Sequence, residues 1–185
     1  MIKPKLNGTK VVFGPCRLSY THLLDKYSPA NGGDPKYMTN VLIPKGEKET
    51  VNAINEAIKA AKDAAILNKW GGKDPKKLDI ALRDGDEKDD DLYADNFYIN
   101  AKCATRPNVV DKNMSPIVDE EDVYSGMWAI VSVTFYGYDV SGNKGIACGL
   151  NNVMKFKDDD HLGGRVSAES DFGDISMDDE DDEDL

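Results

Sequence analysis

One segment of the chain has apolar residues at the spacing of an α-helix, whereas the other apolar segments resemble strands. This pattern limits the folds that the chain can adopt. From Glu47 to about Asn68 the apolar residues recur at spacings of three and four, which is the period of one face of an α-helix. The stripe consists of Val51, Ile54, Ile58, Ala61 and Ala65. At 1.5 Å per residue the helix is about 33 Å long, and Gly71-Gly72 supply a stop after its C-terminal end. We expect this helix to pack across one side of a sheet.

The other apolar segments have the composition and alternation of β-strands. Five strands are predicted, over residues 9–20, 36–43, 96–103, 126–139 and 144–156. Pro15 removes a backbone donor from the first strand, so this strand is expected to lie at a sheet edge or to bend there. Ser141-Gly142-Asn143 joins the last two strands as a tight hairpin connection. Residues 73–95 are polar and highly charged and are predicted to form a surface loop. Together these elements predict a mainly β, α+β fold that is dominated by an antiparallel barrel.

The formal net charge of −11 is unevenly distributed along the chain. Residues 171–185 contain nine acidic residues and no basic residue, which leaves 25 acids and 23 bases in residues 1–170, a net charge of −2. A nearly neutral body can still present a cationic groove if its charges are separated between faces. We therefore predict one folded domain, residues 1–170, and an acidic tail, residues 171–185. The tail is expected to be disordered because its like charges repel and it has too few apolar residues for a core.

Several classes of protein receive no support from the sequence. Cys16, Cys103 and Cys148 show no metal-ligand spacing and lie far from both histidines in sequence, so neither a metal site nor a cofactor is predicted. No phosphate-binding loop or nucleophile elbow indicates an enzyme. No apolar run approaches the roughly 20 residues that cross a bilayer, and no apolar run follows the N-terminal lysines as in a secretory signal. We expect a cytoplasmic protein that does not associate with membranes.

Three stretches of the sequence resemble a known family of phage proteins. They are residues 123–138, which read VYSGMWAIVSVTFYGY, residues 142–153, which read GNKGIACGLNNV, and the segment from Leu162-Gly-Gly-Arg165 to Asp171-Phe172. Shorter matches bring the resemblance to most of residues 9–172. The family was first catalogued as a domain of unknown function and was later associated with the binding of single-stranded DNA.

The resemblance implies an OB-fold, a five-stranded antiparallel barrel with one long packed helix and extended loops. Such a protein coats single-stranded DNA without reading its sequence during phage DNA replication and recombination, in the cytoplasm of the host cell. The acidic tail is similar to tails that compete for the DNA site and recruit a phage or host polymerase or helicase. The corresponding residues are Asp178, Asp179, Glu180, Asp181, Asp182, Glu183, Asp184 and Leu185. Tails of this kind often end in an aromatic residue, whereas this chain ends in leucine. The sequence leaves open whether the protein forms a homodimer.

Binding a single strand without reading its sequence requires cations that follow the phosphates and flat side chains that stack on the bases. The candidates for nucleic-acid binding are Arg17, Tyr20, Lys36, Tyr37, Tyr98, Lys102, Arg106, Trp128, Tyr136, Lys144 and Lys155. Trp128 and Tyr136 lie on one face of their strand, and the apolar residues from Ala129 to Phe135 alternate on the other. The sequence does not decide which of these two faces is buried.

Two other function classes stay open. The acidic run from Asp84 to Asp91 suggests a metal-dependent nuclease, but two-metal chemistry needs carboxylates that hold two ions about 3.5–4 Å apart. These acids lie in a glycine-containing loop for which the sequence predicts no lysine or histidine partner on a nearby strand. The second alternative is an acidic interaction protein or DNA mimic, which would use its carboxylates and would not itself bind DNA.

Overall fold

The computed structural model describes residues 1–163 and 168–175, which contain nine strands, two α-helices and two short 3-10 helices. The elements are β1 Lys5–Asn7, β2 Lys10–Tyr27, β3 Lys36–Pro44, α1 Lys48–Asn68, β4 Asp79–Ile80, β5 Leu82–Asp84, β6 Asn96–Cys103, β7 Asn108–Val110, β8 Trp128–Val140, β9 Asn143–Lys157 and α2 Ala168–Phe172. The five predicted strands and the predicted helix are all present. None of the helices in the described ranges is long and apolar enough to span a bilayer.

Five of the strands close into a barrel. Their order is β9-β8-β2-β3-β6, and β6 pairs with β9 to complete the ring. The first four junctions are antiparallel, whereas β6 and β9 are parallel, with Ala101 opposite Cys148. A ring with an odd number of strands cannot reverse direction at every junction, so one parallel junction is unavoidable. The predicted five-stranded barrel with one long helix is confirmed, with this single departure from antiparallel pairing.

Alternation along most of β8 separates the core from the outer surface. Ala129, Val131, Val133 and Phe135 are at most 1% exposed, and they belong to the hydrophobic core. Trp128 and Tyr136 therefore lie on the outer face, which answers the question that the sequence left open. Alternating side chains point to opposite faces of a strand, so this assignment also places Tyr138 outside.

Helix α1 packs on β8 through its apolar stripe. Ile54, Ile58, Ala61 and Ala65 of the predicted stripe are buried, and Val51 packs partly against the same core. Just beyond the helix, the Trp70 indole nitrogen donates a hydrogen bond to the Tyr138 carbonyl oxygen at 3.2 Å. Gly137 of β8 lies directly beneath Ala65, so close that a Cβ atom at position 137 would overlap the alanine methyl group.

For Pro15 the sequence offered two alternatives, an edge strand or a bend, and the structure shows the second. Strand β2 lies between β8 and β3, and its register against β8 shifts between Phe13 and Cys16. One local prediction needs correction. Residues 73–95 are not wholly a loop, because β4 pairs with β9 and β5 pairs with β6. These strands have two and three residues, which is too short for an alternating pattern to be recognised.

Helix α2 crosses the predicted boundary between the folded domain and the acidic tail at residue 170. The tail residues from Asp178 to Leu185 lie outside the described residues. The division into a domain and a disordered tail therefore stays a prediction.

Candidate nucleic-acid interface

A groove of about 670 Å³ crosses the outer face of the barrel, where β3, β6, β8 and β9 come together. Its lining includes three tyrosines, Tyr98, Tyr136 and Tyr138, and four basic residues, Lys36, Arg83, Lys88 and Lys102. One acidic residue, Asp79, also lines it. The groove therefore concentrates aromatic rings and positive charge on a chain whose total charge is strongly negative.

The alternation of β6 determines which of its residues face the groove. Ile99 and Ala101 are fully buried in the core, so Tyr98, Asn100 and Lys102 lie on the opposite face, and all three line the groove. Strand β8 supplies Tyr136 and Tyr138 in the same way. Tyr136 remains 44% exposed, so part of its ring is accessible from the groove.

Lys88 lies among three tyrosine rings at one side of the groove. Its Nζ atom is 4.3 Å from the ring centroid of Tyr93, 5.1 Å from that of Tyr20 and 5.2 Å from that of Tyr98. Tyr20 has a φ of 48°, in the left-handed region that side chains rarely adopt, and β2 shifts register against β3 just after it. This backbone conformation leaves the Tyr20 side chain 54% exposed.

Arg83 is held by the one acidic residue of the groove. Its Nη2 atom donates to both carboxylate oxygens of Asp79, at 3.0 and 3.3 Å, and the Tyr138 hydroxyl donates to the same carboxylate at 3.4 Å. Partial burial raises the pKa of Tyr138, and the nearby Asp79 charge acts in the same direction. Because Asp79 neutralises Arg83, the remaining positive charge of the groove comes from Lys36, Lys88 and Lys102.

The predicted binding residues divide between the groove and other parts of the surface. Lys36, Tyr98, Lys102 and Tyr136 line the groove, and Tyr20 approaches it through Lys88. Within the described residues, the groove lining does not include three other candidates, Tyr37, Arg106 and Lys144. The ring centroid of Tyr37 lies 5.7 Å from Lys26 Nζ, Arg106 is exposed after β6, and Lys144 is the second residue of β9. A role in nucleic-acid binding stays a prediction for all of them.

The remaining three candidates, Arg17, Trp128 and Lys155, form a separate cluster with Asp158, Asp159 and Asp160. The Trp128 indole nitrogen donates to the Asp159 carboxylate at 2.8 Å, and Lys155 pairs with Asp158 at 2.7 Å. These hydrogen bonds hold the pKa of both carboxyl groups below its usual range. Arg17 donates to the Asp160 carbonyl oxygen at 2.9 Å. These three residues do not line the groove but bind the acidic segment that follows β9, and their role in nucleic-acid binding stays a prediction.

Sequence reasoning missed several residues of the groove. Tyr138 could have been found, because it follows Tyr136 by two residues on the same strand face. Arg83 and Lys88 gave no such signal, since they lie in an acidic segment and reach the groove only through the packing of β5 and the turns after it.

The acidic run after β5 is not an array of free carboxylates. Lys45, which follows β3, lies 2.6 Å from both the Asp84 and the Asp86 carboxylate, and these contacts lower the pKa of both acids. These acids therefore have a lysine partner directly after a strand, which the sequence did not indicate. Among the described residues, no group of three or more potential ligands is arranged to hold a metal ion.

Comparison with known proteins decides the family. Residues 9–185 match the family model described as "Enterobacter phage Enc34, ssDNA-binding protein". The chain belongs to this family. A curated relative, the putative protein p50 of Acyrthosiphon pisum secondary endosymbiont phage 1, is 37% identical over an alignment of 179 residues, and the match covers 91% of this chain and 95% of the relative. The family resemblance inferred from the sequence is confirmed.

Solved structures of phage proteins share the fold. The single-stranded DNA-binding protein from bacteriophage Enc34, solved in complex with ssDNA, is 26% identical with a TM-score of 0.77, over 87% of this chain and 94% of that protein. Another similar structure is gp2.5, a single-stranded DNA-binding protein encoded by bacteriophage T7, with 13% identity and a TM-score of 0.62. It covers 85% of this chain and 97% of its own, and at this identity it supports the fold alone.

Proposed function

We propose that this chain binds single-stranded DNA in the tyrosine-lined groove, without reading most of its sequence, and acts in phage DNA replication and recombination in the host cytoplasm. The observation that supports this function is the meeting of three tyrosines and four basic residues in one groove of a barrel from a single-strand-binding family. Stacking on an aromatic side chain contributes about 1–3 kcal/mol per base and tolerates every base, because each base has a flat π-face.

The negative net charge does not exclude this function, because electrostatic attraction depends on the local surface. At physiological ionic strength the Debye length is about 8 Å, so a strand in the groove interacts chiefly with the charges that line it. Lys36, Lys88 and Lys102 lie within this lining, while nine acids of the chain lie in residues 171–185. The groove is therefore the part of the described surface that best fits a polyanion.

A titration with oligo-dT of increasing length, repeated at two salt concentrations, tests the function. We expect the full chain to bind oligo-dT more tightly than duplex DNA, because stacking on Tyr98 and Tyr136 needs unpaired bases. With about three phosphate contacts, the logarithm of the binding constant should fall with the logarithm of salt concentration with a slope of about −2. A chain that leaves oligo-dT free at low salt would instead support the acidic interaction protein or DNA mimic.

We also propose that the acidic tail competes with DNA for the groove and recruits a phage or host polymerase or helicase. Nine acidic residues without a base form a short polyanion, and a covalent tether to the domain gives such a segment an effective concentration of about millimolar. The same lysines that would follow DNA phosphates would attract these carboxylates. The tail therefore favours release of weakly bound strands.

Deleting residues 171–185 is expected to tighten oligo-dT binding, most clearly at low salt, where attraction between exposed charges is least screened. A tail of equal length with its acids replaced by Asn and Gln serves as the control, and it should bind as tightly as the truncated chain. Fluorescence titrations of the three proteins measure the difference. Equal affinity of the full and truncated chains at low salt would show that the tail does not compete.

A further inference from the structure

Two asparagine side chains in the groove have amide oxygens without a hydrogen-bond donor. Asn40 of β3 and Asn100 of β6 are direct cross-strand partners, and both line the groove. Asn40 is 6% exposed, and its Nδ2 atom donates to the Tyr93 hydroxyl at 2.8 Å, which directs that amide nitrogen toward Tyr93. Within the part of the chain that the structure describes, neither Oδ1 atom has a hydrogen-bond partner.

Such a pair is unusual and needs a physical explanation. Buried polar atoms in folded proteins are nearly always paired, because an unpaired acceptor loses its hydrogen bonds to water and gains nothing in return. Because both asparagines are cross-strand partners and line the groove, a ligand there that donates two neighbouring hydrogen bonds would satisfy both acceptors.

We propose that Asn40 and Asn100 form a base-reading position, at which their oxygens accept hydrogen bonds from the amino group of one base. This inference rests on the proposed binding of single-stranded DNA. Tyr98 and Asn100 are two residues apart on one face of β6, a separation of about 7 Å. A base that stacks on Tyr98 therefore has its hydrogen-bonding edge near the Asn100 amide.

The chemistry of the bases decides which of them fits. Cytosine and adenine each present an exocyclic amino group with two hydrogens, which matches two neighbouring acceptors. Thymine presents a single N3–H between two carbonyl oxygens, and those oxygens would face the amide oxygens. The position thus disfavours thymine. Stacking and phosphate contacts elsewhere in the groove do not depend on which base is bound.

Both amide oxygens are enclosed in the structure, so the proposal requires that a neighbouring side chain move when a base enters. Lys88 is a suitable candidate because it is only half-buried and lines the groove. Its Nζ atom lies 4.3 Å from the ring of Tyr93, whose hydroxyl accepts the Asn40 hydrogen bond.

Competition between two labelled oligonucleotides tests the inference on the unmodified protein. One is oligo-dT and the other is the same oligo-dT with a single central dC. We expect the dC oligonucleotide to bind about fivefold more tightly, the effect of about one net hydrogen bond. Replacing the dC by N4,N4-dimethyl-dC, which cannot donate, should remove the gain. Equal binding of all three oligonucleotides would overturn the base-reading position and leave the proposed function intact.

The Asn100→Leu variant locates the effect. It keeps a side chain of similar size without an acceptor, and we expect it to bind the dT and dC oligonucleotides equally. Asn55→Leu, on the exposed face of α1, is the matched control and should keep the fivefold preference. A preference that persists in Asn100→Leu would overturn the assignment. Failure of the unmodified chain to bind any of the oligonucleotides would instead overturn the proposed function.

Discussion

Replacing Tyr136 by alanine is expected to weaken oligo-dT binding by about 5- to 100-fold, the loss that corresponds to one base–aromatic stack. Tyr136 lines the groove and is 44% exposed, so its ring contributes little to the core and much to the proposed interface. The fold should therefore remain intact. A fluorescence titration at fixed salt measures the change in affinity, and circular dichroism verifies the fold.

Tyr27→Ala is the matched control for this prediction. Tyr27 is 42% exposed at the end of β2 and is not among the residues that line the groove in the described ranges. Its replacement should leave the affinity for oligo-dT unchanged. Comparable losses in the two variants, or an unaffected Tyr136→Ala, would show that the groove does not contribute a stacking surface.

Replacing Gly137 by alanine is expected to lower the free energy of unfolding by about 1–3 kcal/mol, the usual cost of overpacking a core. Gly137 is the point at which β8 touches α1, and an added Cβ atom would overlap the Ala65 methyl group. Lys69 also donates to the Gly137 carbonyl oxygen at 2.7 Å, so the helix end and the strand cannot separate without losing this hydrogen bond.

Urea denaturation measures this effect, with Gly46→Ala as the control. A Cβ atom at Gly46 would meet no atom within 4 Å, and its replacement should change stability much less. Equal stability of the two variants would mean that the helix does not pack closely on β8. The prediction is independent of DNA binding, because it tests the fold that positions the groove.

Local patterns in the sequence predict the elements of this fold well, whereas closure of the barrel depends on distant contacts. The apolar stripe from Val51 to Ala65 and the alternation of β6 and β8 are properties of neighbouring residues, so both appear in the sequence. The parallel junction between β6 and β9 joins residues almost 50 positions apart, and the short strands β4 and β5 exist only because β9 and β6 provide partners.

The difference between local patterns and distant contacts also explains which residues of the candidate site could be predicted from the sequence. Tyr98, Lys102 and Tyr136 were predictable because aromatic and basic residues alternate with core residues on well-marked strands. Lys88 was not, because its own segment is acidic and only tertiary packing brings it to the tyrosines. Trp128 had an equally favourable local pattern, yet it donates to Asp159, a carboxylate from the segment after β9. A local pattern identifies side chains of a suitable type. It does not show which residues from distant parts of the chain form hydrogen bonds with them.

Photochemical cross-linking tests the central claim most directly, namely that single-stranded DNA lies in the tyrosine-lined groove. An oligo-dT that contains 5-iodouracil forms adducts with aromatic rings stacked on it when it is irradiated in complex with the full chain. Peptide mass spectrometry then identifies the modified residues. We predict adducts on Tyr98 and on Tyr136 or Tyr138. Adducts confined to Trp128, or to tyrosines that do not line the groove such as Tyr27, would contradict this account.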